Sequence, residues 1–202
     1  MKLYYSPLAC SLSPHIVLRE AGLPFELVRV DLKTHTVASD GRDFRAIHPK
    51  GYVPLLELDD GQLLSEGPAI VQYLADRVPE RQLAPANGTL ARYRLQEWLG
   101  YINSELHKGF SPLFKPGQSE DGKNAAREQL GLRLDFIAAQ LGEKPFLLGE
   151  TFSIADAYLF VIINWGQWVG IDLARWPRLA AFHARVAARD SVRAAIDAEQ
   201  AK

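Results

Sequence analysis

The first eighty residues alternate between strand and helix signals, and the remainder carries helix signals only. That change of pattern limits the fold more than any other feature. Lys2-Leu3-Tyr4-Tyr5-Ser6 reads as a short strand. Residues 11–21 read as a helix, with Pro14 in the first turn, where its missing N–H costs nothing, and Gly22 just past the end. Residues 25–31 alternate apolar and polar side chains, the pattern of a half-buried strand. Residues 33–42 are polar and expected to be loop, and residues 43–47 a short helix before His48-Pro49. Two apolar runs then flank Asp59-Asp60-Gly61, a hairpin signal because Asp and Gly accept the positive φ angles of a tight turn. Residues 68–78 place Ile70, Val71, Leu74 and Val78 on one helix face. The order β-α-β-(α)-β-β-α calls for parallel pairing first and an antiparallel hairpin after it.

Around residues 81–88 the composition changes, and Pro85, Asn87 and Gly88 read as a linker. Helices are expected over residues 89–113, as one or a pair, and over 123–141, 178–187 and 191–201. Residues 153–169 are nearly all apolar and predict a central, buried helix. The expected division is therefore an α/β domain over residues 1–80, a linker over 81–88 and an all-α domain over 89–202. A chain of 202 residues that is 48% hydrophobic can build such cores. The formal net charge of −1 argues against a nucleic-acid partner. The apolar run of residues 154–165, broken by Asp156 and Asn164, is shorter than the ~20 residues a membrane span needs. With no basic-then-apolar leader visible, the expectation is a cytoplasmic protein without a membrane partner.

Cys10 is the one cysteine, so an internal disulfide and a cysteine-based zinc site are excluded. It sits where the opening strand should turn into the first helix. Unpaired N–H groups and the helix dipole favour negative charge there, and cysteines so placed ionise more readily. The alternative is a small buried apolar residue. Tyr5, Ser11 and Pro14 complete this corner. Cys10 and Ser13 have C-x-x-S spacing, which leaves a mixed disulfide with a small thiol open. Val53-Pro54 precedes a hairpin strand; a cis bond there would turn the Val53 backbone outward to pair with an extended peptide-like ligand. Ser65-Glu66-Gly67-Pro68 opens the next helix, where Glu66 suits a ligand ammonium and the helix N-terminus a carboxylate, with plain capping as the alternative. Ser153 and Asp156 have capping-box spacing and are assigned to folding rather than catalysis. The five histidines show no metal-ligand spacing, and no G-x-G-x-x-G, P-loop or G-x-S-x-G motif is present.

These stretches, in this order, strongly resemble the glutathione transferases, and most closely the bacterial beta class, over essentially the full length. The resemblance is carried by residues 2–7 leading to Cys10-Ser11-Leu12-Ser13-Pro14-His15, by His48-Pro49-Lys50-Gly51-Tyr52-Val53-Pro54, and by residues 66–75. Ser104-Glu105-Leu106-His107-Lys108 and residues 153–158 complete it. It implies a thioredoxin-like N-terminal domain, a helical-bundle C-terminal domain holding an electrophile pocket, and glutathione as co-substrate with no metal. The implied catalytic residues are Cys10, Tyr5, Ser11 and His107. The implied glutathione contacts are Cys10, His35, Tyr52, Val53, cis Pro54, Glu66 and Gly67, joined by Ser104, Glu105, Leu106 and His107. Ser104, His107 and Lys108 would share a helix face. His35 stands where relatives often have lysine, Gly100 where they often have asparagine, and Leu8 where glycine is common. Trp98, Trp165, Trp168 and Trp176 are expected in packing, and Phe110, Leu113 and Trp165 are candidates for the pocket wall.

The implied activity is conjugation of the glutathione thiolate to apolar electrophiles, a detoxification chemistry, by a homodimer. Two other functions fit the same residues: a glutathione-dependent thiol-disulfide reductase or peroxidase using Cys10, and a non-catalytic regulatory protein resembling the stringent starvation proteins.

Overall fold

The computed structural model describes residues 1–201. The chain forms two compact units, one of Met1–Ala84 joined by the stretch from Arg189 onward, the other of Pro85–Ala188. The last helix thus packs in the first unit rather than with the helical half, where the pattern change at residue 88 had put it.

The first unit is built on a five-stranded sheet of order β3-β2-β1-β4-β5. Its strands are β1 (Lys2–Tyr5), β2 (Glu26–Asp31), β3 (Thr36–Val37), β4 (Leu55–Glu57) and β5 (Leu63–Ser65). β1 pairs parallel with β2 in the register Leu3↔Leu27 and antiparallel with β4 in the register Leu3↔Leu56. The Asp-Gly turn closes the β4–β5 hairpin as expected. β3 lies within the stretch expected to be loop. Its two residues are set by a short local hairpin with Asp31 and Val30, which two residues in a polar stretch are too few to announce by alternation. Tyr4, Val30, Val37, Phe44, Val53 and Leu55 form the core on one sheet face. The helices are α1 (Leu12–Ala21), α2 (Phe44–Ile47) and α3 (Gly67–Asp76). α1 ends on Gly22 at φ 66°, the left-handed cap its sequence position called for.

α10 (Asp190–Gln200) packs on α1. Arg189, its N-cap residue, donates to both oxygens of Glu20 at 2.6 and 2.9 Å, and the Ser191 hydroxyl donates to the same carboxylate. Burial works to raise the Glu20 carboxyl, but the bonds from Arg189 and Ser191 outweigh it and hold the group below its ordinary 4.5.

The second unit contains α4 (Leu90–Tyr101), a π-helical turn (Ile102–His107), α5 (Lys108–Phe114), α6 (Glu120–Leu141), α7 (Ile154–Asn164), α8 (Gly166–Val169) and α9 (Pro177–Ala187). Every residue of α7 from Ile154 to Ile163 is buried, so it is the centre of this core. Its start is fixed by the wholly buried Asp156, whose carboxylate accepts Ser153 N–H and Leu147 N–H, each at 2.8 Å, and the Ser153 hydroxyl at 2.7 Å. Burial pushes this carboxyl up to about 6 against those three donors. Among the described residues, no helix is long and apolar enough to cross a membrane.

Two outcomes follow. Asp156→Ala strands two buried amides and a hydroxyl at about 1–3 kcal/mol each, partly relieved by water, so urea unfolding should show a loss of about 3–5 kcal/mol. For Glu20 the folded state keeps the carboxylate ionised to lower pH than the unfolded chain does. Its stabilisation is present above pH 4.5 and lost as pH falls through the depressed folded value. The stability gap between wild type and Glu20→Gln should be constant above pH 5 and close on acidification.

Candidate active site

Between Tyr5 and Leu12 the chain makes a run of tight turns. Ala9 N–H donates to Ser6 O at 3.1 Å, Leu12 N–H to Ala9 O at 3.0 Å and Ser13 N–H to Cys10 O at 3.2 Å. The first amides of α1 are therefore engaged within the turn, so the field of the helix, rather than its free N–H groups, acts on this corner. Ser11 is the N-cap residue, yet its hydroxyl makes no cap bond. It donates to Ser6 O at 3.2 Å and accepts Ser6 N–H at 3.1 Å. Ser11 is wholly buried and ties the turn to the end of β1; this corrects its expected place as a group presented to a ligand sulfur. Tyr5 is 7% exposed, and burial, reinforced by the charge of Glu199, holds its hydroxyl above the ordinary range. The phenol stays protonated and able to donate.

Cys10 is half-buried and in no disulfide, and its Sγ donates to Val53 O at 3.3 Å. The Val53-Pro54 peptide is cis. A side chain at Gly67 would meet the Pro54 ring at 3.8 Å. Glu66 precedes it with its carboxylate in solvent, paired with Lys50 Nζ at 2.8 Å. The thiol is thus bonded to Val53, and the Pro54 ring that follows lies beside the start of α3. Glu66 does not cap α3 through its side chain, which removes the plain-capping reading. Its φ of 71° is a conformation that favours glycine. His35 also has positive φ, 55°, and its Nδ1 lies 3.2 Å from Gly51 O, beside the exposed Tyr52. The structure thereby brings Cys10, Val53 and Pro54 to one corner with Gly67 and Glu66 beside the Pro54 ring, and His35 bonds to Gly51 O, two residues before Val53. Lys50, the partner of Glu66, lies inside a motif but carried no assigned role; sequence offers no signal for a pair sixteen residues apart.

In the helical unit the segment carrying Ser104, Glu105, Leu106 and His107 is π-helical: Lys108 N–H bonds to Asn103 O, five residues back. The expected shared face of Ser104, His107 and Lys108 assumed α spacing and does not apply. Such turns recur at functional sites. Leu106 is fully buried, so its side chain serves the core. Glu105 is paired with Arg133 at 3.0 Å. Ser104 is exposed. His107 Nδ1 lies 2.8 Å from the Tyr158 hydroxyl, which donates its proton to Asn103 Oδ1 at 2.9 Å. With that proton spent, His107 Nδ1 is the donor and Nε2 keeps the lone pair. The His107 ring meets Trp165 edge-on at 5.1 Å, and Trp165 meets Phe110 and Phe114 at 5.8 and 5.6 Å. Phe110, Leu113 and Trp165 are buried; Phe114 is the exposed member of this aromatic group, missed although it follows Phe110 at i+4. Among the described residues, no cluster of His, Cys, Asp or Glu suited to a metal is found.

A mixed sheet of this order with a thiol at its first βα corner, followed by a helical unit, is the arrangement of thioredoxin-like, glutathione-dependent proteins. Two family profiles match: "Glutathione S-transferase, N-terminal domain" over residues 9–77 and "Glutathione S-transferase, C-terminal domain" over residues 101–190. The chain is 48% identical to glutathione S-transferase GstA of Escherichia coli O157:H7, with all of both chains covered. Three solved structures are also similar. BphK, a bacterial GST seen in a ternary complex, is 59% identical with a TM-score of 0.97 over all of both chains. The beta class enzyme of Sphingomonas chungbukensis is 48% identical with a TM-score of 0.95 over 99% of each. A sphingomonad glutathione S-transferase complexed with glutathione is 46% identical with a TM-score of 0.96 over all of both. The chain belongs to the glutathione S-transferase family, on the bacterial beta class side of it.

The strain at Glu66 is open to measurement. Glu66→Gly relieves the positive φ and gives up the solvent-exposed ion pair with Lys50, so thermal unfolding should show stability unchanged or raised by up to about 1 kcal/mol.

Proposed function

We propose that the protein is a glutathione transferase that joins the sulfur of reduced glutathione to apolar electrophiles. The observation that carries this reading is the Cys10 thiol bonded to Val53 O, the cis Val53-Pro54 bond, and the Pro54 ring lying beside Gly67 and Glu66 at the start of α3. The Val53 backbone pairs with the peptide backbone of the ligand. Glu66, its exposed carboxylate paired with Lys50, takes the γ-glutamyl ammonium, and the Gly67 amide at the start of α3 takes the adjoining carboxylate. His35 and Tyr52 flank the glycine end. The sulfur then lies at the α1 corner, where the helix dipole favours the thiolate. Cys10 turns its S–H from Val53 O to that sulfur, and Tyr5 supports the same end as a protonated donor. The thiolate attacks the electrophilic carbon; the S–C bond forms as the leaving group departs with its electron pair.

In the helical unit, Ser104 and His107 are assigned to ligand contact, and Phe114 with Trp165 to the electrophile. Glu105 and Leu106 contribute through position, one held by Arg133 and the other seated in the core. The exposed apolar side chains Tyr93, Leu132 and Phe136, the last in ring contact with Trp98 and Tyr101, support a homodimer.

Titration with reduced glutathione should give saturable heat and thiolate absorbance at neutral pH, and an apolar aryl halide should be conjugated. Glu66→Ala removes a charge-assisted contact and should raise KM for glutathione roughly tenfold to a hundredfold. Cys10→Ala should retain conjugation and lose disulfide exchange; conjugation lost with exchange would favour Cys10 as the nucleophile of a reductase. Absence of both heat and thiolate absorbance overturns the reading.

A further inference from the structure

Leu8, two residues before Cys10, has φ 57°, a conformation costly for a leucine. Its N–H donates to Glu199 Oε2 at 2.7 Å, a bond that spans 191 residues of sequence and comes from α10. Glu199 is 1% exposed. Its other oxygen, Oε1, lies 2.9 Å from His15 Nδ1, and both side chains of that pair are fully buried. Arg19 Nε donates to His15 Nε2 at 2.9 Å. An arginine can only donate, so His15 accepts at Nε2, carries its proton on Nδ1 and passes that N–H to Glu199. One carboxylate therefore has both oxygens engaged, one by a relay rooted in α1 and one by the backbone of the cysteine turn. At the other end of α10, Arg189 and Ser191 grip Glu20 near the end of α1. α10 is fixed to α1 at two points, and the second reaches past the helix to the turn.

A buried carboxylate is a poor device for stability alone, since an apolar pair of the same shape serves as well. Its placement on a strained amide beside the one cysteine gives it a different use. We propose that Glu199 is a positioning residue for the glutathione-sulfur end of the site: it holds Leu8 left-handed and thereby keeps the Cys10 turn in the form that binds. This rests on the reading of that corner given above. Without Glu199 the turn relaxes toward ordinary φ, and only a fraction of molecules remains competent. Apparent affinity falls by that fraction, while turnover at saturation is preserved.

The test uses Glu199→Gln in the full chain, which keeps volume but supplies one acceptor where two are needed. The dissociation constant and KM for glutathione should rise by about 5- to 30-fold, the ratio set by a leucine leaving the left-handed region, with kcat changed less than about twofold. Adding Leu8→Gly, which tolerates positive φ without the anchor, should recover part of the loss. A general weakening of the fold would lower the unfolding temperature without that split or that rescue. Cys10 is the only thiol, so its alkylation by iodoacetamide without glutathione gives a second readout, expected to accelerate in Glu199→Gln as Sγ leaves Val53 O. In the wild type, amide exchange at Leu8 should be as slow as that of α10. Unchanged affinity and unchanged alkylation in a folded variant overturn the proposal, as does fast exchange at Leu8. If wild-type protein fails to bind glutathione while alkylation and exchange behave as stated, the turn is positioned by Glu199 and the transferase reading is the one that falls.

Discussion

A carboxylate taken out of water must be met by donors at every oxygen, and much of this structure is arranged around that requirement. Each compact unit contains one such group. In the helical unit Asp156 accepts from Ser153 and Leu147, which fixes the start of the most buried helix and the course of the chain before it. In the sheet unit Glu199 accepts from Leu8 and His15, which fixes the turn between β1 and α1. Both carboxylates bond to backbone N–H groups of segments that form no regular structure. A loop held in this way is ordered without needing apolar side chains of its own, and that leaves its side chains available for chemistry.

The two cases differ in how far they could be read from sequence. Ser153 and Asp156 are three residues apart, and their partnership follows from local helix-start geometry. Leu8 and Glu199 stand at opposite ends of the chain, and no spacing rule connects them. The same division runs through the rest of the fold. The opening strand, the α1 cap at Gly22 and the Asp-Gly hairpin are local matters, and their residues announce them. β3 exists because Val37 pairs with Val30 across a turn, and α10 belongs to the sheet unit because Arg189 and Ser191 reach Glu20. The β3 partner is only seven residues away, but a two-residue pairing in a polar stretch leaves no alternation to read, whereas the α10 partner lies 169 residues away, outside any local window.

The candidate site shows the same limit at the level of single atoms. Cys10, Val53-Pro54 and Glu66 were legible because each sits at a junction where backbone groups or charge are presented in a known direction. What the sequence left unread is which atoms are already committed. Ser11 was expected to face a ligand, yet both of its hydrogen-bonding functions go to Ser6. Leu106 sits within a motif but turns wholly into the core. The π turn alters which of Ser104, His107 and Lys108 share a face, because one extra residue in the hydrogen-bonded ring shifts the angular register of everything after it. The protonation of His107 follows from a three-member relay through Tyr158 to Asn103, a sequence separation of more than fifty residues.

Strain is distributed in the first unit in a way that joins fold to function. Among the described residues, four other than glycine have positive φ: Leu8, His35, Glu66 and Gln82. Three of them lie on the loops that carry the cysteine turn, the Gly51 contact and the start of α3. Leu8 and His35 each have a backbone-linked contact there, with Glu199 and with Gly51 O, while Glu66 carries a solvent-exposed pair with Lys50. The fourth, Gln82, closes a 3-10 turn. Glycine at any of these positions would relax the backbone and also free it to move. A side chain in a conformation it disfavours, held by a specific partner, gives a loop one geometry in place of many. A site that must recognise an extended peptide by its backbone gains from that, because affinity for such a ligand is lost in proportion to the shapes the loops can adopt.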